Sequence, residues 1–126
     1  MWIFTEIGFF SVVRGDDEDG VPTVMVRARV RDDLVSLLEC YGDELEPAPI
    51  LEWPGRDYPY RVIMARDEWA KILLALGMEL DYPNFKNRVA QVSGAMRAQA
   101  YGAVWSVMLR LEEKLGIRER NRSIYG

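Results

Sequence analysis

Histidine is absent from this chain of 126 residues. Without imidazole there is no Ser-His-Asp or Cys-His nucleophile, no histidine general base, and no zinc site that requires a histidine ligand. Cysteine occurs once, at Cys40, so one chain cannot assemble a thiolate zinc site, an iron–sulfur cluster or an internal disulfide. What remains is carboxylate, lysine, arginine or tyrosine chemistry, a carboxylate-bound magnesium, or no catalysis.

Other familiar signals are missing as well. No apolar run approaches the roughly 18–20 residues that a transmembrane helix needs, and the first residues carry no basic leader typical of a signal peptide. The sequence contains no Walker loop, no G-x-G-x-x-G and no G-x-S-x-G. We therefore predict no catalytic residue, no metal and no cofactor, and the single cysteine favours a cytoplasmic location.

The charge is unevenly distributed along the chain. Residues 1–60 carry 13 acidic and 5 basic side chains, a net charge of −8, whereas residues 61–126 carry 7 acidic and 11 basic ones, a net charge of +4. The overall charge is −4. Such a division indicates either two faces with different partners or, as we favour, two halves that attract each other within one fold.

The hydrophobic pattern predicts an α+β fold. Residues 2–13 are typical of a β-hairpin turning at Gly8, and strands are predicted at Thr23–Val30, Ile50–Trp53 and Tyr58–Ala65. A helix from Asp32 ends at Gly42. The order β-β-β-α-β-β-α-α is compatible with an antiparallel sheet of about five strands, in which a ferredoxin-like β-α-β-β-α run is extended by the hairpin.

Three helices are predicted in the second half of the chain. An amphipathic helix opens the segment 66–87, a short helix follows the break at Pro83, and a long helix covers about 95–115, where Gly116 ends it. We expect residues 1–116 to form a single domain, followed by a basic tail at 117–126. The predicted buried face of the long helix contains Ala100, Val104, Val107, Met108, Leu111 and Leu115.

Five segments carry a resemblance to a known family. WIFTEIGFFSVV (2–13), VRARVRDDL (26–34), YPYRV (58–62), DYPNFKN (81–87) and VWSVMLRL (104–111) look like a family of small uncharacterised bacterial and phage proteins. The resemblance spans most of the chain with the segments in the same order, which implies a stand-alone domain. No activity is assigned to that family, so the resemblance implies no catalytic residue.

The first candidate binding site lies at the break between two helices. Polar groups of several kinds occur within nine positions there, where exposed backbone N–H groups can meet an anion or a substrate. The simpler interpretation, which we favour, is that Asp81 or Asn84 caps a helix. The candidate residues are Glu79, Asp81, Tyr82, Asn84, Lys86 and Asn87.

A second candidate is formed by arginines on neighbouring strands. Arg27 and Arg29, with Arg61, could bind phosphate or carboxylate through forked guanidinium contacts if they share one sheet face. The alternative, which the alternation favours, is a solvent face on which each arginine pairs with a carboxylate across the strands.

Weaker signals come from aromatic and charged segments. Trp53, Tyr58 and Tyr60 have two interpretations: an interaction surface beside two prolines, or the edge of the core. The loop 16–19 is acidic but lacks the spacing of an EF-hand, so a solubilising loop is the better interpretation. The arginines of the tail are interrupted by Glu119, which gives little support for a nucleic-acid partner.

These features predict a non-enzymatic protein that acts by binding another macromolecule. A protein partner is expected, with no nucleic acid and no membrane, and a homodimer is left open. The phage members of the resembled family suggest a modulator or inhibitor of a host or defence protein. The alternative is a small-ligand or nucleotide-binding module, or a carboxylate enzyme, with its site at residues 81–87.

Overall fold

The computed structural model describes residues 1–42 and 48–116. It divides into two compact units, Met1–Pro83 and Asn84–Gly126, which we describe separately. The first unit contains β1 (Trp2–Thr5), β2 (Gly8–Arg14), β3 (Thr23–Ala28), α1 (Arg31–Tyr41), β4 (Leu51–Glu52), β5 (Tyr60–Ala65) and α2 (Arg66–Met78). The second contains α3 (Phe85–Ser93) and α4 (Ala95–Lys114).

The five strands form one antiparallel sheet in the order β1-β2-β3-β5-β4. Along the chain, the order β3, α1, β4, β5, α2 is the predicted β-α-β-β-α run. Its three strands are neighbours in the sheet, in the order β3-β5-β4. The hairpin β1–β2 extends the sheet on the far side of β3. The α+β class and the five-stranded antiparallel sheet are therefore confirmed.

One face of the sheet is covered by α1 and α2. Alternate residues of the central strands turn toward these helices and lose nearly all of their solvent exposure, as expected for an antiparallel sheet with one packed face. The buried core of this unit contains Phe10, Val12, Val24, Val26, Ala28, Leu34, Leu37, Val62, Met64, Trp69 and Ile72. Burial of these side chains provides the main stabilisation of the unit.

The hairpin turn lies just before the predicted turn residue Gly8. Thr5 pairs with Gly8, so the turn consists of residues 6 and 7, and Gly8 is already the first residue of β2. The Thr5 hydroxyl donates to the Gly8 carbonyl at 2.8 Å and accepts from the Gly8 amide at 3.1 Å. These side-chain bonds close a two-residue turn that contains no glycine.

In the second unit, α3 and α4 pack as a helical hairpin. Gly94 separates them with φ +93°, a conformation that favours glycine, and Val89 and Ala98 are buried. Phe85 of α3 stacks on Tyr101 of α4 with ring centroids 5.8 Å apart. These residues place the hydrophobic contact between α3 and the first half of α4.

The predicted buried face of α4 is wrong. Every one of its six residues is exposed, and Val107, Met108 and Leu115 each expose more than half of their surface. The partly or fully buried positions of α4 are instead Arg97, Ala98, Tyr101, Gly102, Ser106, Leu109 and Glu112. Both sets recur at helical spacing, so the apolar pattern alone selected the wrong stripe.

Among the described residues, no helix combines the length and the apolar character that crossing a membrane requires. The tail 117–126 and most of the predicted connection 43–49 lie outside the described residues.

Candidate partner-binding face

Cross-strand register places two arginines directly opposite each other. Arg27 of β3 pairs with Arg61 of β5, and Met25 pairs with Ile63 on the same side of the sheet. Their neighbours Val26 and Val62 turn to the core, so alternation sends both guanidinium groups to the face opposite α1 and α2. The condition that the sequence left open, a shared sheet face for these arginines, is met.

Each of the three candidate arginines lies over an aromatic ring. The guanidinium carbons of Arg27 and Arg29 lie 4.8 and 4.6 Å from the centroid of the Tyr58 ring, and that of Arg61 lies 4.3 Å from the Trp53 ring. Each geometry is a cation–π contact. We call the group the arginine face: Phe9, Ser11, Arg27, Arg29, Trp53, Tyr58 and Arg61.

Hydrogen bonds to neighbouring strands and loops fix each guanidinium group. Arg27 donates from Nε to the Ser11 carbonyl at 3.3 Å and from a terminal nitrogen to the Ser11 hydroxyl at 2.7 Å. Arg29 donates to the carbonyl of Asp57 at 2.9 Å, and Arg61 donates from Nε to the carbonyl of Tyr58 at 3.1 Å. The acceptors of these bonds are neutral oxygens, so the positive charges are positioned without being neutralised.

Among the described residues, the arginine face has no carboxylate partner. In the part of the chain that the structure describes, the side chains of Arg27, Arg29 and Arg61 form no ion pair, although the chain as a whole is acidic. Burial, and after it the nearby charges of Arg27 and Arg56, lower the pKa of Arg61. The cross-strand pairing with acids that we favoured from the sequence is therefore wrong, and like charges are adjacent instead.

The rings beneath the arginines are packed against one another. Phe9 stacks on Phe4 with centroids 4.5 Å apart, meets Trp2 edge-on at 6.1 Å, and lies 6.4 Å from Tyr58. Tyr58 is only 7% exposed, whereas Trp53 is 40% exposed and Trp2 69%. The face thus has a packed aromatic base, two half-buried arginines, the exposed Arg29, and an exposed tryptophan at each side of the sheet.

Tyr60 does not belong to this face. It pairs with Ala28 across the strands and packs against the hydrophobic core with Val62 and Met64. Of the three aromatics predicted as an interaction surface, the structure brings Trp53 and Tyr58 together with the arginines and places Tyr60 on the core side. The sequence missed Phe9 and Ser11, whose proximity to Arg27 depends on the β2–β3 register.

The predicted site at the helix break coincides with the start of α3. Asn84 is the N-cap of α3 and its side-chain oxygen accepts from the Asn87 amide at 2.9 Å. Lys86 lies against Gly102, where an added Cβ would be 3.7 Å from the lysine Nζ. Asp81 and Tyr82 belong to the end of the first unit. The capping interpretation accounts for Asn84 and Asn87, while a ligand site at residues 81–87 stays a prediction.

The acidic loop borders a cleft of about 770 Å³ at the other end of β3 and β5. Glu18, Asp19 and Glu68 lie among its lining residues, together with the side chains of Val21 and Leu51. No group of three or more acidic or cysteine side chains among the described residues has an arrangement that could hold a metal ion.

No protein-family model matches the chain, and the searches of curated proteins and of solved structures return no match either. The resemblance to small bacterial and phage proteins stays a prediction.

Proposed function

We propose that this protein is a non-enzymatic binding module that holds a macromolecular partner on the arginine face of its sheet. The observation that carries the proposal is the group of three arginines, Arg27, Arg29 and Arg61, each stacked on an aromatic ring and none paired with a carboxylate in the described chain. Arginine, tryptophan and tyrosine are the residues that dominate binding energy at interfaces.

The rigidity of the face supports this proposal. Two arginines are anchored through their Nε atoms to backbone carbonyls, and Tyr58 is enclosed between aromatic and cationic neighbours. A side chain that is already ordered loses less entropy when a partner binds. Arg27 and Arg61 place like charges next to each other, and a partner that supplies acids would complement them.

The absence of histidine and of any recognisable catalytic motif in the sequence directs the proposal toward binding rather than catalysis. A modulator or inhibitor of a host or defence protein is the biological role that we propose on the strength of the phage resemblance.

The test is affinity capture with a matched pair of variants. The wild-type protein, Arg27→Gln/Arg61→Gln and the control Lys71→Gln would each be immobilised, and bound macromolecules would be compared quantitatively. Lys71 is exposed on α2, outside the arginine face. We expect one or more species to be captured by the wild-type protein and the control but to be depleted at least about tenfold on the double variant. Equal capture by all three proteins would refute the arginine face as the binding surface.

A further inference from the structure

The three arginines have more N–H donors than the described residues accept from. A guanidinium group has five N–H donors, about fifteen for the three residues, and the described residues accept from five of them. The guanidinium carbons of the three groups lie over Tyr58 or Trp53. The remaining N–H donors belong to a planar fork that matches the two oxygens of a carboxylate or phosphate.

Apart from the exposed parts of Trp2 and Trp53, the ring surfaces that nucleobases need are occupied. Tyr58 is buried, Phe4 and Phe9 stack on each other, and one side of Trp53 is covered by Arg61. Binding of single-stranded nucleic acid relies on stacking of successive bases on open aromatic rings. Its affinity also depends on the number of phosphates that are neutralised, and three arginines on a protein of net charge −4 offer few.

Resting on the proposed function, we infer that the partner presents an extended acidic protein segment, whose aspartate or glutamate side chains pair with Arg27, Arg29 and Arg61. Arg27 lies in β3 and Arg29 directly after it, and both guanidinium carbons lie over the same Tyr58 ring, at 4.8 and 4.6 Å from its centroid. Two such neighbouring charges can be met by alternate side chains of one extended partner segment, which lie on the same side of its backbone. Arg61, directly across from Arg27, provides a contact for a further carboxylate.

The partly exposed tryptophans suit the same partner. Trp53, with its exposed fraction of 40%, lies beside Arg61, and Trp2 lies on the opposite edge strand β1. Apolar side chains between the acids of the partner can pack on these rings, as in interfaces where aromatic anchors surround a few charged pairs. The charge of the segment then selects the face, and the tryptophans add buried apolar area.

Fluorescence anisotropy with two defined probes tests the inference. The first probe is a fluorescein-labelled peptide of about twelve residues with glutamate at alternate positions, and its control has glutamine there. The second probe is oligothymidylate of similar length. We expect the glutamate peptide to bind the intact protein more tightly than the other two, and the affinity to fall at least about tenfold in Arg27→Gln/Arg61→Gln but not in Lys71→Gln.

A second variant distinguishes a loss of binding from a loss of folding. Arg29 is exposed and donates a single hydrogen bond, so Arg29→Gln is expected to fold and to weaken the glutamate peptide severalfold. Tighter binding of oligothymidylate, lost in the same variants, would overturn the acidic-segment inference while supporting the arginine face. Absence of binding by the glutamate peptide would also overturn it, whereas the proposed function would fall only if captured partners were unaffected by the double variant.

Discussion

The backbone at Gly8 lies against the side chain of Asp33. A Cβ atom at residue 8 would be 2.7 Å from both Cβ and Cγ of Asp33, closer than packed carbon atoms approach. The same carboxylate accepts a hydrogen bond from the Phe9 amide at 3.1 Å, and Asp33 is only 4% exposed. The hairpin β1–β2 and the first turn of α1 are thus joined at a point where only glycine fits.

Gly8→Ala is therefore expected to destabilise the protein. We expect the free energy of unfolding to fall by about 1–3 kcal/mol, because the added methyl group must displace Asp33 or the strand. Gly77→Ala is the matched control, since Gly77 lies within α2 and no atom is within 4 Å of the added Cβ. That change should be neutral or raise stability by up to about 1 kcal/mol. Urea unfolding of both variants measures the difference, and an equal effect would contradict the close approach.

Replacement of the Tyr58 ring should disturb the arginine face from within. Tyr58→Leu removes the ring shared by Arg27 and Arg29, and the two lost cation–π contacts are each valued at about 0.5–1 kcal/mol. We expect lower stability and weaker capture of the partner. Tyr58→Phe keeps the ring and should change unfolding by less than about 0.5 kcal/mol. Thermal unfolding and affinity capture of both variants provide the test. If Tyr58→Leu and Tyr58→Phe had the same stability and captured the partner equally, the ring would have no role in the face.

The ionisation of Tyr41 makes the stability of the first unit depend on pH in the alkaline range. Burial, and after it the hydrogen bond that its hydroxyl donates to Glu79 at 2.9 Å, raise the pKa of Tyr41 above its ordinary value of about 10. Since the folded state holds this proton more tightly than the unfolded state does, the stabilisation is present below pH 10 and is lost as the pH rises beyond it.

Tyr41→Phe should accordingly remove part of the pH dependence of unfolding above pH 10 and leave its shape near pH 7 unchanged. Glu79→Gln is the second variant, because it keeps an acceptor but removes the negative charge that disfavours tyrosinate. Denaturant unfolding at several alkaline pH values provides the test. Identical alkaline curves for wild type and Tyr41→Phe would exclude the contribution of Tyr41.

The start of α3 depends on one side chain. Asn84→Ala removes the acceptor of the Asn87 amide and should lower stability by about 0.5–2 kcal/mol. Asn84→Ser retains a capping oxygen and should recover most of that loss. Thermal unfolding followed by circular dichroism compares the three proteins. If the serine variant were as unstable as the alanine variant, the capping bond would not explain the loss of stability.

The sequence predicted the helices and strands better than it predicted which side of each one is buried. Alternation along β3 identified Val24 and Val26 as core residues because a strand has only two sides, and the sheet class followed from the order of the elements. In α4, residues such as Val107 and Leu111 satisfied the helical period but are exposed. Apolar residues lie on much of that helix, so periodicity could not show which stripe meets α3.

The arginine face shows the same limit across strands. Each strand revealed which of its own residues share a side, but only the register between β3 and β5 places Arg27 opposite Arg61. The contribution of Ser11 requires the further register between β2 and β3. Tyr58 precedes β5 and reaches the arginines through the conformation of its loop, which strand alternation does not describe.

The most direct test of the account is an NMR titration that follows arginine side chains. In ¹⁵N-labelled protein, Arg27 and Arg61 are expected to give observable Nε–H signals without a ligand, since both groups are hydrogen-bonded to carbonyls. Addition of the alternating glutamate peptide should shift these two signals and leave that of exposed Arg110 on α4 unchanged. Peptide binding that shifts Arg110 but not Arg27 and Arg61, or that shifts no arginine signal, would contradict the arginine face as the site of recognition.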